Sequence, residues 1–545
     1  MSFASANAQW TSDTTMNTSV RDSSILSPLM ASMNDGSTYI CWFEYGPTSN
    51  LDLHMQLLNP DGYKQWAPEG IIVSNLPQNS AIFRYDMKVD NDENAIVAFQ
   101  DERTGTLQII AYKIDKNGIS IWGNGVTLID SLSTGGLAPV VGITGHNDVV
   151  IAWNADSGSS KWIAAHRISA SGVVQWNNPF RMKDTVGTLK YSRPRLLPWG
   201  SDGIQMMFVE ENGSFPGVTS TLYTQKINDA GIAFYTSPIK VSTKTIPYFI
   251  FPEAIPDTSG GFYVSFNSSN PVNTSLNDVY VQHVDSSGNL WSTTGTEAAN
   301  STINHKLSSG ACFIRSSGEF WVLLQVLDGG QGSSGVSVQK FDASGNVLLG
   351  PDALSIIAID PVYYLPYTIN DVLDGVIFSC SYGPFGNQHI IAMKVDYSGN
   401  ISWPGMMTGL CSVNSNKDDV SSGLFVNDNL VFVWQDDRFG SGVFAQNINA
   451  AGVTGVLTGT SDTDIMIQSS LFPNPSDSPT IYFSSRNDGE KLITVSDLRG
   501  KEILKKKIYP NENSFSLSNL KNIAAGIYLI SIRSEKNSEI LRWIK

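Results

Sequence analysis

The sequence predicts an all-β protein, and three observations carry that prediction. Eight glycine-centred turns recur through the first 455 residues, at Gly62, Gly118, Gly172, Gly231, Gly288, Gly345, Gly399 and Gly452. Their spacings are 56, 54, 59, 57, 57, 54 and 53 residues, a regularity that requires a structural repeat. Each unit carries a short run of bulky apolar residues, such as Tyr39-Ile40-Cys41-Trp42-Phe43, Ala95-Ile96-Val97-Ala98-Phe99 and Leu430-Val431-Phe432-Val433-Trp434. Only 16 % of residues are charged, while Gly, Ser, Asn and Thr abound, which suits short strands joined by turns and argues against helices. A unit of about 56 residues holds four strands, close to the period of propeller repeats. Radial repetition of such sheets makes an eight-bladed β-propeller, followed here by a small C-terminal β-sandwich. A seven-bladed ring with one odd unit is the alternative.

The elements of a unit can be placed in order. A proline often stands near the inner strand, as at Pro28, Pro139, Pro194, Pro252 and Pro366. The bulky apolar strand follows, and then a third strand leads into the glycine turn. The clearest turns are Lys113-Ile114-Asp115-Lys116-Asn117-Gly118 before Trp122, and Lys394-Val395-Asp396-Tyr397-Ser398-Gly399 before Trp403. Trp66, Trp176 and Trp291 follow other turns, and the tryptophans read as packing wedges between blades. The last unit lacks one. Gln9-Trp10 resembles Gln65-Trp66 and Gln175-Trp176, so the segment from Gln9 to about Val20 is expected to supply the outer strand of the eighth blade. Each blade buries its faces only against its neighbours, so the ring should close.

The C-terminal 75 residues read differently. Pro473 and Pro475 bracket Asn474, which favours an extended turn. Ile493-Thr494-Val495-Ser496-Asp497-Leu498-Arg499-Gly500-Lys501 and Glu502-Ile503-Leu504 read as a hairpin around Gly500. Gly526-Ile527-Tyr528-Leu529-Ile530-Ser531-Ile532 is a further strand, and the chain ends on Lys545. An ordinary immunoglobulin-like module would explain the strands, but not the Pro-Asn-Pro start or the basic end. In order and spacing these motifs resemble the type A C-terminal sorting domain of cargo of the type IX secretion system of Bacteroidota. The resemblance marks Pro473, Asn474, Pro475, Asp497, Gly500, Gly526, Tyr528 and Lys545 as sorting-signal residues. It implies inner-membrane export, then passage through the outer-membrane translocon barrel with its shuttle protein as partners. In that family the domain is usually removed after passage. The expected division is a signal-peptide remnant over 1–8, the propeller over 9–458, a linker over 459–470 and the sorting domain over 471–545. Ala6-Asn7-Ala8 supplies the small-x-small site expected of a signal end.

The net charge is −15. The tail from Leu471 carries 12 basic and 8 acidic residues, leaving −19 on the rest. Such a body repels nucleic acid and anionic lipid, so neither is expected as a partner. No apolar run reaches the ~18 residues of a membrane span. Cys41, Cys312, Cys380 and Cys411 are too dispersed for a metal site or disulfide-rich scaffold; Cys41 and Cys380 lie in apolar strands and read as buried thiols, with a Cys380–Cys411 bridge as the alternative.

No catalytic, metal or cofactor site is expected. His54, His146, His166, His283, His305 and His389 show no ligand spacing, and no phosphate loop or nucleophile elbow is present. Gln100-Asp101-Glu102-Arg103 and Gln435-Asp436-Asp437-Arg438 read as loop staples, with too few oxygens for calcium. Arg84, Arg193, Arg195 and Arg315 are assigned to the starts of inner strands, with Asp86 and Glu253 in similar places. These positions ring one mouth of a propeller channel, where an arginine fork suits carboxylate or sulfate groups on a cell-surface glycan. The expected function is a secreted binding or adhesion-type protein. The alternative is a glycan-active hydrolase or lyase whose carboxylates come from different blades.

Overall fold

The computed structural model describes residues 10–545 except 24, 48–49, 77–83, 159, 185–187, 215–216, 249–250, 456–468, 473, 475, 484–489, 498, 510–511, 513 and 534–537, with backbone alone at 470, 472 and 538–540. The expected signal remnant and most of the expected linker lie outside these residues. Among the described residues the chain is all-β, with a single 3-10 turn at Ser518–Leu520.

Eight four-stranded antiparallel sheets fill the chain up to Ile448. Their innermost strands are, in order, Ile25–Ser32, Asp86–Val89, Gly135–Ile143, Leu189–Trp199, Glu253–Pro256, His305–Ile314, Tyr364–Val372 and Lys417–Ser422. The first seven sheets are simple meanders. In the eighth, Thr18–Arg21 pairs antiparallel with Gly442–Ile448 as the outermost strand. Each innermost strand touches that of the next sheet, and the eighth touches the first. Second strands such as Ala95–Asp101 are buried along their whole length. Their β-branched and aromatic residues are covered on both faces by neighbouring sheets, which is why these runs are continuously apolar.

One contact repeats between successive units. The Trp122 indole lies against the Gly172 turn of the next unit, and its Nε1 donates to Ala170 O at 3.1 Å. Trp10, Trp66, Trp176, Trp291 and Trp403 do the same to Pro60, Lys116, Asp229, Ala343 and Ala450, at 2.7 to 3.0 Å. The accepting carbonyl is always two residues before the turn glycine. The fourth and sixth units lack the tryptophan, and there a lysine reaches the same carbonyl. Lys226 Nζ donates to Ser286 O at 2.6 Å, and Lys340 Nζ to Tyr397 O at 2.7 Å. The turns themselves are tied by aspartates. Asp115, Asp285, Asp342 and Asp396 each accept the backbone N–H groups two and four residues on.

Charged groups are also buried in the body. Asp101–Arg103 and Asp436–Arg438 are both 2.6 Å pairs that hold their own loops, and Lys417 joins the second at 3.3 Å. Burial would raise the Asp436 carboxyl, but Arg438 and Lys417 outweigh it and hold it at about 2. All four cysteines are buried free thiols. Between the fifth and sixth sheets Lys306 pairs with the fully buried Asp278 at 2.6 Å. Burial, and then the adjacent Asp278, push Glu297 up to about 7.

The C-terminal residues form two further sheets, Ser470–Phe472 with Thr480–Tyr482 and Ser514–Ser516, and Glu502–Ile508 with Lys491–Asp497, Ile527–Arg533 and Ser538–Ile544. They share one core that includes Ile481, Ile493, Val495, Leu517, Ile530 and Trp543.

Two predictions follow from these contacts. Gly172 and Gly105 have nearly equal φ, +88° and +86°, but a Cβ at Gly172 meets Trp122 at 2.8 Å while one at Gly105 meets nothing within 4 Å. Gly105→Ala should cost about 1–2 kcal/mol of backbone strain, and Gly172→Ala clearly more; equal urea midpoints would remove the indole contact as the cause. Glu297 has a folded-state pKa above its ordinary 4.5, so the folded protein binds the extra proton and loses stability as pH rises from about 4.5 through 7. Glu297→Gln, which cannot ionise, should therefore gain on wild type in thermal melts at pH 8 and not at pH 4.

Candidate ligand-binding site

The inner strands carry a repeated irregularity. In the first, third, fourth and eighth sheets the register shifts at a non-glycine residue with positive φ: Ser27 at 50°, Ala138 at 50°, Arg193 at 55° and Asp419 at 52°. Such a conformation costs on the order of 1–3 kcal/mol and needs support. The support comes from the preceding sheet. Gln435 Oε1 accepts the Ser27 N–H at 3.3 Å, Gln100 Oε1 that of Ala138 at 3.2 Å, and Asn154 Oδ1 that of Arg193 at 3.0 Å. A bulge re-aims the side chains beside it, and here the bulges lie along a central cavity.

That cavity has a volume of about 890 Å3 and is walled by the inner strands of the first five sheets and the eighth. Arg84, Lys88 and Arg195 line it, as do Asp86 and Asp419. The Arg84 guanidinium lies 3.6 Å from the Phe251 ring centroid. Burial, then the neighbouring Arg195 and Arg193, lower it to about 10. Arg193 is itself buried, pairs with Glu211 at 3.0 Å and lies 5.2 and 5.6 Å from the Tyr248 and Phe251 ring centroids. Arg195 donates to Pro194 O at 3.1 Å. Burial lowers the Arg195 pKa, opposed by Asp86 and Glu253. Among the described residues, neither Arg84 nor Arg195 forms an ion pair with a carboxylate.

Two carboxylates begin inner strands beside these arginines. Asp86 is anchored by the N–H groups of Met87 at 2.9 Å and Val141 at 2.8 Å. Glu253 is open to solvent yet enclosed by protein, and that enclosure raises its carboxyl, with Arg195 and Lys88 opposing. On the eighth sheet the Asp419 carboxyl is raised by burial and by Asp418.

Three of the four arginines singled out in the sequence thus come together. Arg315 does not join them. The sixth inner strand begins at His305 and ends at Ile314, so Arg315 stands exposed in the hairpin beyond its far end, where it acts on Asp371. Sequence reasoning passed over Lys88, Phe251 and Asp418-Asp419. The aspartate pair had a signal: it follows the first residue of the inner strand of its unit and reaches the bulge, as Arg193 does in its own.

Of the sorting-signal residues, Pro473 and Pro475 lie outside the described residues. Asn474 pairs with the final strand, its Nδ2 donating to Arg542 O at 2.7 Å and its Oδ1 accepting from Ile544 N at 2.8 Å. Gly526 and Lys545 exchange backbone hydrogen bonds at 3.1 and 2.9 Å, and Lys545 Nζ donates to Lys521 O at 2.8 Å. Tyr528 Oη donates to Ala524 O at 2.6 Å, with its ring 5.2 Å from that of Trp543. Asp497 accepts the N–H groups of Arg499 and Lys501, both at 2.9 Å, around Gly500 at φ +82°. Asn474, Gly526 and Lys545 therefore meet on one element, the last strand.

No curated protein matches the chain. Solved structures to which the chain is similar include a polysaccharide lyase of family PL25, an ulvan lyase bound to -[GlcA(1-4)Rha3S]-, at 12 % identity and a TM-score of 0.42, covering 82 % of this chain and 98 % of that one. The polysaccharide lyase Uly1 is 8 % identical with a TM-score of 0.40, covering 78 % and 89 %. An α-L-arabinanase of Penicillium chrysogenum, complexed with arabinobiose, is 12 % identical with a TM-score of 0.36, covering 61 % and 99 %. Residues 470–545 match the family described as the secretion system C-terminal sorting domain, and the chain is a cargo of the type IX secretion system, exported to the cell surface or released.

Proposed function

We propose that this cargo is an eight-bladed propeller over residues 9–458, closed by its N-terminal strand, that binds a short acidic saccharide in its central cavity. A linker over 459–470 then leads to a sandwich-like sorting domain over 471–545, recognised by the translocon barrel and its shuttle protein. The observation that carries the binding reading is the unpaired state of Arg84 and Arg195 among the described residues. Guanidinium groups that line a cavity without a paired carboxylate favour an incoming anion, and their planar forks suit a uronate carboxylate or a sulfate ester. Phe251, held against Arg84, offers a flat apolar surface beside them. The body around the cavity is strongly acidic, so a long polyanion is repelled and a short acidic sugar or chain end is preferred.

Glu253 supports a second reading. A carboxyl held up by its enclosure, at the edge of the cavity beside Arg195 and Lys88, is suited to donate a proton in glycan cleavage. In that case Glu253→Gln would abolish depolymerisation of an acidic glycan while leaving its binding intact.

Two experiments test these assignments. On an array of acidic glycans, Arg84→Gln with Arg195→Gln should weaken binding by about tenfold or more, each lost charge-assisted contact being worth roughly 1.5–3 kcal/mol. Binding equal to wild type would return both arginines to a purely structural role. Deleting residues 471–545 should leave the body inside the cell envelope; its appearance in the culture medium at the normal rate would overturn the sorting assignment.

A further inference from the structure

The wall of the cavity is made of strand edges, and the binding reading above gives them no role. Each inner strand is the terminal strand of its sheet, paired on one side. Two glycines show where the Cβ bonds of these strands point. A Cβ at Gly142 of the third sheet would meet Leu196 Cβ of the fourth at 2.8 Å, and one at Gly310 of the sixth would meet Tyr367 O of the seventh at 3.1 Å. The side-chain positions thus face the next inner strand, and the unpaired edge faces the channel. The lining agrees. Residues 139 to 145 border the cavity without a break, whereas a strand that shows a side-chain face contributes every second residue. Val141 and Leu197 border it although their side chains are 1 % and 4 % exposed and belong to cores between sheets. What these two offer the cavity is main chain.

Such an edge carries N–H donors and C=O acceptors at regular intervals. One of them already holds an oxygen ligand: the Val141 N–H donates to Asp86 Oδ2, from the second sheet, at 2.8 Å. Several side chains of the wall are engaged elsewhere. Asp86 also accepts from Met87 N at 2.9 Å. Thr144 accepts from Asp148 N at 3.1 Å and Asn91 donates to Gly145 O at 3.4 Å, so both are tied to the hairpin that follows the third inner strand. Tyr85, the one aromatic residue of the wall among those described, is buried with its hydroxyl on Ser27 O, which closes its ring to a sugar.

We propose that the cavity recognises a glycan by its acidic residue alone and holds the neutral residues beside it through main-chain hydrogen bonds. This rests on the acidic-saccharide reading and names the class within it: short glycans with a common acidic end and variable neutral sugars. A hydroxyl both donates and accepts, so it pairs with an edge N–H or an edge C=O by turning its O–H bond. Inverting one ring centre moves a hydroxyl from one edge group to another, or to a bridging water. Strong rejection arises where a side chain is built around one hydroxyl and is left unpaired without it, and along residues 139 to 145 the wall presents main chain instead.

Isothermal titration of the full chain tests this with glucuronate alone, with glucuronate joined to glucose, to galactose or to mannose, and with an uncharged glucose disaccharide. The acidic disaccharides should bind within about fivefold of one another, because water and edge groups replace whatever contact is lost. Glucuronate alone should bind about tenfold more weakly than they do, having lost the hydrogen bonds of the second ring. The uncharged disaccharide should also be weaker by about tenfold or more. A wider spread among the acidic disaccharides, or glucuronate alone binding as well as they do, overturns the main-chain reading and leaves the acidic site standing. If the uncharged disaccharide binds as well as the acidic ones, or no probe binds, the acidic-saccharide reading falls and this inference falls with it.

Discussion

The body depends on a single contact made eight times: a side chain from one unit closes over the glycine turn of the next and donates to the carbonyl two residues before it. At six turns the donor is an indole and at two a lysine ammonium group, and at Ala450 Lys394 joins Trp403. The constraint acts on both partners. The donor must reach across the sheet-to-sheet seam, and the turn must lack a side chain where the ring lies. Gly62, Gly172, Gly231, Gly345 and Gly452 all have an indole within 3 Å of where a Cβ would stand. A sheet of four strands has two apolar faces and no independent way to cover them. The contact fixes which face meets which, and the buried strands follow from it.

Much of this was legible in the residues. The glycine spacing gives the unit, and Gln9-Trp10 matches the start of an outer strand elsewhere in the repeat. Thr18–Arg21 does pair with Gly442–Ile448. What pattern reading lacked was the equivalence of Trp and Lys at the seam. Lys226 lies in the third strand of its unit, whereas Trp176 follows a turn, so sequence alignment of the units separates residues that reach the same kind of carbonyl. The same blindness applies to Gln100, Asn154 and Gln435. Their amide oxygens support bulges in the next sheet, a partner about 40 residues away or across the chain ends.

The cavity was legible only in outline. Arg84, Arg193 and Arg195 converge because they flank the starts or bulges of inner strands. Arg315 diverges because an inner strand's first residue cannot be fixed from an apolar pattern interrupted by serine and glycine, as His305–Ile314 is. The electrostatic character of the site was not legible at all. Whether an arginine pairs with a carboxylate, as Arg193 does with Glu211, or lies over an aromatic ring, as Arg84 does over Phe251, depends on residues from three different sheets. The tail is the reverse case. Its motif residues are few and local, and three of them close on the final strand.

The pairing of Thr18–Arg21 with Gly442–Ile448 also sets a clock. A chain is made and exported from one end to the other, so the earliest-emerging strand must wait for a partner more than 400 residues behind it. Until then the eighth sheet is one strand short, and the Gly62 turn can be gripped only by an indole, Trp10, whose own strand has nothing to lie on. Seven sheets can assemble as they appear, but the last seam joins the two ends of the body. The residues that complete it are followed within a few dozen positions by the sorting domain, so the finished body and the finished export tag arrive almost together.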